Sequence, residues 1–167
     1  MAIEFMIIAA PRSGTTWAAN WLTTDSTLCL HDPLAYRHHT EWDLMASGKM
    51  MGVSDTGVSV FHQWLNAHPA RKVILHRDRG EIAKSLGIPE FLDTPDDLPN
   101  VNGMHVHYTE LFDAPKKIYE FLLQREFDQG RHEELRKIRM QPTSESMTLD
   151  KDLVVRLIRE MKGLSHA

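Results

Sequence analysis

Phe5-Met6-Ile7-Ile8-Ala9-Ala10-Pro11-Arg12-Ser13-Gly14-Thr15-Thr16-Trp17 is the stretch whose reading decides the fold. Its unbroken apolar run shows no alternation, so residues 3–9 are expected to form a strand buried on both faces. The run ends in Pro, a basic residue, small residues, Gly and two hydroxyls. A helical pattern then begins, with Trp17, Ala18, Trp21 and Leu22 on one face. Strand, tight loop and helix aim several backbone N–H groups and a helix N-terminus at one anion. Gly14 lets the backbone come close, Thr15 and Thr16 add hydroxyl donors, and Arg12 adds a forked cation. The stretch reads as a cradle for a phosphate-type anion.

Working outward, the 167 residues are 42% apolar, enough for one domain, 1–167, with a sizeable core. A net charge of −4 argues against general binding of nucleic acid or anionic membrane, so any anion site must be a local concentration of positive charge. The single cysteine, Cys29, excludes an internal disulfide framework and fits a reducing compartment. The apolar start is too short to span a bilayer, carries Glu4 and lacks a basic leader. The expectation is a soluble, cytoplasmic protein.

Further strands are expected at 27–30, 50–54, 72–76 and 103–107. Pro33 should stop the second strand and force Asp32 into an extended conformation. Residues 34–48, which carry Tyr36, His38, His39 and Trp42, read as a helix or ordered loop. A helix is expected over 58–67 with Val58, Phe61, Trp64 and Leu65 inward, and a short one from about Gly80 to Leu86. The Gly- and Pro-rich segment 87–102 reads as a mobile surface insertion. Pro115 opens a helix with Ile118, Tyr119, Leu122 and Leu123 on one stripe, and another helix follows Gly130. A last helix carries Leu149, Leu153, Val154, Leu157, Ile158 and Met161 and stops at Gly163. Alternating strands and helices imply an α/β/α three-layer sandwich around a mainly parallel sheet of four to five strands. Ligands then belong beyond the carboxyl ends of the strands, where Arg12, Asp32 and Arg77 fall.

The loop is not the ATP-binding P-loop, which needs Gly, four residues, then Gly-Lys-Ser/Thr. Ala9 replaces the first Gly, Thr15 stands where the Lys belongs, and the basic residue is Arg12. Instead, Pro11 to Trp17 resembles the 5′-phosphosulfate loop of the sulfotransferase family: Pro, Lys or Arg, Ser-Gly-Thr-Thr, then an apolar or aromatic residue. The family binds the 3′-phosphate of 3′-phosphoadenosine-5′-phosphosulfate (PAPS) with an Arg at a strand end and a Ser eight residues later. Arg77 and Ser85 reproduce that spacing. Val106-His107-Tyr108-Thr109-Glu110-Leu111 followed by Asp113-Ala114-Pro115 is similar to the family's strand ending in Tyr-Glu-Asp-Leu before a Pro-initiated helix. The resemblance covers roughly 3–140 and implies a P-loop NTPase-like fold. It also implies PAPS as co-substrate, held by Arg12, Ser13, Gly14, Thr15, Thr16, Arg77 and Ser85, with Trp17 and Tyr108 near the adenine. The alternative for each aromatic is core packing.

By the same resemblance the chain transfers a sulfuryl group to a hydroxyl or amine of a small-molecule or carbohydrate acceptor. Arg12 then steadies the leaving phosphate. The family's base is in some branches a His, in others a Glu about twenty residues after the loop's basic residue. Here Asp32 stands twenty residues after Arg12, with His31 and Asp55 as alternatives, and an ordinary turn-forming Asp as the structural reading. His105 and His107 share one face of a strand, yet no spacing completes a metal-ligand set, so no metal is expected. The family's Arg-Lys-Gly loop and downstream Gly-x-x-Gly-x-x-Lys pattern are not found. The acceptor-binding part is therefore reduced or supplied by another subunit, as in a homodimer. A non-catalytic nucleotide-binding module and a small P-loop kinase are the competing functions.

Overall fold

The computed structural model describes residues 2–45, 47–94 and 96–138, together with Val155 and Arg159. Five strands form one parallel sheet among these residues: β1 (Phe5–Ala9), β2 (Thr27–His31), β3 (Met50–Asp55), β4 (Arg71–His76) and β5 (Met104–His107), in the order β2-β3-β1-β4-β5. All five residues of the central strand β1 are buried. Phe5 pairs in register with Gly52 on β3, and its ring occupies the space a Cβ at Gly52 would need.

Among residues 2–138 the α-helices are α1 (Thr15–Leu22), α2 (His62–Ala67), α3 (Arg79–Leu86), α4 (Glu110–Asp113), α5 (Pro115–Leu123) and α6 (Gln129–Arg136). They divide by crossover direction. The connection from β1 through α1 runs one way, past β3 to β2, whereas those from β2, β3 and β4 all run the other way. Right-handed crossovers place connections of opposite direction on opposite faces. The core follows that rule. On one face Phe5, Ile7, Ala9, Val73 and Leu75 meet Trp17, Ala18, Trp21 and Leu22 of α1 and Ile118, Tyr119, Leu122 and Leu123 of α5. On the other, Met6, Ile8 and Ile74 meet Trp42, Val58, Leu65, Leu98 and Val101 of the later crossovers. The α/β/α layering and the inward stripes of α1 and α5 are as expected from the sequence.

Several local expectations are corrected. The segment read as a helix or ordered loop is ordered as two 3-10 turns, Pro33–Ala35 and His39–Leu44, but 58–67 is a 3-10 turn, Val58–Phe61, running into α2. Asp32 is not extended but left-handed (φ 44°), because its N–H continues the ladder to Ser54 O (2.9 Å) while its side chain turns to Thr56. Helix α6 starts at Gln129, before Gly130, where Asp128 caps it by accepting from Arg131 N–H (2.9 Å).

Segment 87–102 is not a loose insertion. Ile88, Leu98 and Val101 are buried, and the Arg79 guanidinium donates to Phe91 O (2.7 Å), Thr94 O (2.6 Å) and Thr94 Oγ1 (2.7 Å). The last helix, expected over 149–163, lies outside the described residues apart from Val155 and Arg159, both helical; Arg159 pairs with Glu90 at 3.3 Å. No helix among the described residues is long and apolar enough to cross a membrane.

Candidate anion and nucleotide site

Connections leave the neighbouring strands β1 and β4 in opposite directions, so their carboxyl ends flank the switch point of the sheet, where open parallel sheets take ligands. The loop after β1 reverses through two left-handed residues, Arg12 (φ 65°) and Gly14 (φ 88°). Gly14 is the N-cap of α1 and offers no side chain, and a Cβ there would come within 2.9 Å of Leu111 Cδ1. The first-turn N–H groups of α1 have no intrahelical acceptor, so they face the loop as donors. Ser13 is fully buried, and its hydroxyl has no hydrogen-bond partner among the described residues. A buried, unpartnered donor beside uncapped N–H groups is what an anion cradle requires.

Residues distant in sequence converge here. Arg12 Nε donates to Ser85 Oγ (3.0 Å), and Arg77 Nη1 donates to the carbonyl of Arg12. The Arg77 guanidinium sits 4.6 Å from the centroid of the Tyr108 ring and also pairs with Glu81 (3.1 Å). Arg12, Arg77, Ser85 and Tyr108 thus form one cluster, built from the ends of β1, β4 and β5 and from α3. Trp17 does not join it. The indole is 7% exposed, packs against Trp21, Phe112 and His132, and points its N–H at Leu135 O (3.4 Å). Its place is the core, the alternative weighed for it from sequence.

On the β2 side, Nε2 of His31 lies 3.1 Å from Thr16 Oγ1 and 3.4 Å from Thr15 Oγ1, at the start of α1. Asp32 Oδ2 is 3.4 Å from the same nitrogen, and Asp32 Oδ1 accepts from Thr56 N–H (2.9 Å) and Thr56 Oγ1 (3.1 Å). Both side chains are about one-third exposed, at 37% and 34%. Asp55 behaves differently. It is buried and accepts from Gly57 N–H (2.8 Å), Val58 N–H (2.9 Å) and Leu34 N–H (3.0 Å). Burial pushes its carboxyl above the usual carboxylate value, and the three N–H bonds work against that shift. With both oxygens engaged, Asp55 braces the loops after β2 and β3.

Sequence reading missed Thr56 and Ser54, whose hydroxyl anchors the start of α1 through Thr15 O (3.0 Å). No spacing rule links either to the loop; only the β1–β3 and β2–β3 registers do. His105, paired in sequence with His107, is hydrogen-bonded to His76 (2.8 Å) across β4 and β5. Among the described residues no group of three or more His, Cys, Asp or Glu is arranged to hold a metal ion. Cys29 is buried, and burial pushes its thiol far up, which disfavours the thiolate. Comparison of the chain with protein-family models, with curated proteins and with solved structures gives no match.

Proposed function

We propose that this chain is a P-loop NTPase-like, PAPS-dependent sulfotransferase acting on a hydroxyl or amine of a small molecule or carbohydrate. The observation that carries the reading is the meeting of Arg12, Arg77 and Ser85 at the β1/β4 switch point, beside a loop that presents uncapped N–H groups and the unpartnered Ser13 hydroxyl. Two anionic groups on one ligand suit this cluster. The 5′-phosphosulfate lies in the 12–16 loop and the 3′-phosphate on Arg77 and Ser85, with Tyr108 near the base.

PAPS supplies the activated sulfuryl group. The chain's residues bind and orient it, and Arg12 offsets the negative charge that grows on the departing phosphate oxygen. The acceptor's proton is taken at the His31–Asp32 pair, which reaches the first turn of α1 from the opposite side.

A non-catalytic nucleotide-binding module is the second reading, favoured by Asp32 Oδ1 being engaged by Thr56. ATP-dependent phosphoryl transfer fits less well, since the loop carries no Lys where the ATP-binding motif needs one. Turnover of sulfur-labelled PAPS against a panel of phenolic, alcoholic and sugar acceptors tests the proposal. Label transfer to an acceptor supports it; binding without transfer to any acceptor favours the module.

A further inference from the structure

Glu81 stands at the third position of α3, where a glutamate ordinarily reaches back to the backbone N–H of the capping residue. Half of that arrangement is made: Asp78 caps the helix, and its Oδ1 accepts from Glu81 N–H (2.9 Å). The Glu81 carboxylate turns instead to Arg77. Its Oε2 accepts from Arg77 Nε (3.1 Å), so a carboxylate rests on the guanidinium to which the proposed function gives the 3′-phosphate.

The other two partners of Arg77 are of a different kind. Nη1 donates to the backbone carbonyl of Arg12, and the guanidinium lies over the Tyr108 ring, 4.6 Å from its centroid. Backbone and ring hold the guanidinium at one end and on one face, and the Arg77 side chain is only 19% exposed. The Glu81 side chain is 56% exposed. It can therefore swing into water while the carbonyl and the ring keep Arg77 aimed. An ion pair so exposed contributes little to stability, and a carboxylate left beside a phosphate repels it. A phosphate on Arg77 Nε displaces Glu81 at small cost, whereas an uncharged ribose hydroxyl leaves the pair intact.

We infer that Glu81 is a built-in competitor for the 3′-phosphate and sets how tightly the site holds a nucleotide that carries one. This rests on the nucleotide-binding half of the proposed function. The exchange is purely ionic: one anion replaces another on the Arg77 Nε–H, and the released carboxylate is solvated. As long as Glu81 holds Arg77, only a fraction of chains is ready for the phosphate, and apparent affinity falls by that fraction.

Calorimetric titration of the full chain with 3′,5′-phosphoadenosine and with AMP tests the assignment in the wild type, Glu81→Gln, Arg77→Ala and the double variant. Glu81→Gln keeps the length and shape of the side chain and removes its charge. It should bind 3′,5′-phosphoadenosine about two- to fivefold more tightly and AMP as the wild type does. A general change of surface charge would favour both ligands. In the Arg77→Ala background the gain from Glu81→Gln should vanish.

Unchanged or weaker binding of 3′,5′-phosphoadenosine by Glu81→Gln, an equal gain for AMP, or a gain that persists without Arg77 overturns the inference. The two readings fail separately. Wild-type binding of 3′,5′-phosphoadenosine with no gain in Glu81→Gln refutes the competitor and leaves the nucleotide site standing. Absence of binding in the wild type and Glu81→Gln alike refutes both.

Discussion

Arg12 combines two features at one position: a left-handed backbone that side chains with a Cβ rarely adopt, and a guanidinium hydrogen-bonded to Ser85. Under the proposed chemistry its contact strengthens as charge builds on the bridging oxygen, so Arg12→Ala should lower kcat more than it lowers affinity for PAPS. Arg12→Lys should keep part of the activity, because a point charge still reaches that oxygen. Steady-state rates set beside calorimetric binding separate the two effects, and wild-type turnover by Arg12→Ala would remove the loop from catalysis. The strand-end position of Arg77 and the backward lean of Ser85 on its helix were readable in the sequence, whereas Tyr108 was nominated by the resemblance alone and is found 4.6 Å from the Arg77 guanidinium. Trp17 was placed near the adenine by the resemblance, whereas the helical stripe it shares with Trp21, four residues on, carried the signal for the core place it takes. What could not be read is Thr56, which meets Asp32 only because β2 and β3 are neighbours.

For the loop and α1 together, Gly14 is the point of least tolerance. A Cβ there carries both the strain of φ 88° and a 2.9 Å approach to Leu111 Cδ1. Gly14→Ala should therefore destabilise the fold by about 1–2 kcal/mol, a fall in Tm of about 2–8 °C for a chain of this size. Anion binding should weaken as well; scanning calorimetry with and without 3′,5′-phosphoadenosine reads both, and an unchanged Tm would refute the strain argument.

The five strands could be placed from hydrophobic runs alone, since each is flanked by Gly, Pro, Asn, Asp or Ser. The crossovers could not. Composition makes 87–102 look like loose surface, but Ile88, Leu98 and Val101 seat it on the sheet and Arg79 ties its carbonyls. The left-handed Asp32 was likewise hidden, because proline only disfavours the right-handed helical region for the residue before it and the ladder to Ser54 settles the rest.

At the scale of the whole molecule, handedness converts one reversal in strand order into two helix-bearing faces and one switch point. The alternation of strands and helices predicts the layers; which strand neighbours which depends on long-range pairing that local pattern does not encode.

Stability should also respond to pH across the molecule. Burial lowers the pKa of His39 and of His76 below the ordinary value of 6.5; His38 adds to the shift at His39, and His105 and His107 add to it at His76 against the opposing charge of Asp96. The folded chain then binds fewer protons than the unfolded one just below pH 6.5. The stabilisation is complete above 6.5 and is lost as pH falls through 6.5 toward the lower folded values. Tm should drop between pH 7.5 and 5.5. His39→Phe should shrink that drop, since His39 stacks on Phe61 (4.1 Å) and its Nδ1 is buried without a partner among the described residues. An equal drop in the variant would clear His39 of the effect.

The claim that the β1/β4 switch point holds a nucleotide bearing both 5′- and 3′-anions is tested most directly by calorimetric titration. Wild-type and Arg77→Ala chains are each titrated with 3′,5′-phosphoadenosine and with AMP. Tighter wild-type binding of 3′,5′-phosphoadenosine is the predicted result, with Arg77→Ala weakening it about ten- to hundred-fold and leaving AMP nearly unaffected. Equal wild-type affinities for the two ligands, or equal losses in the variant, would contradict it.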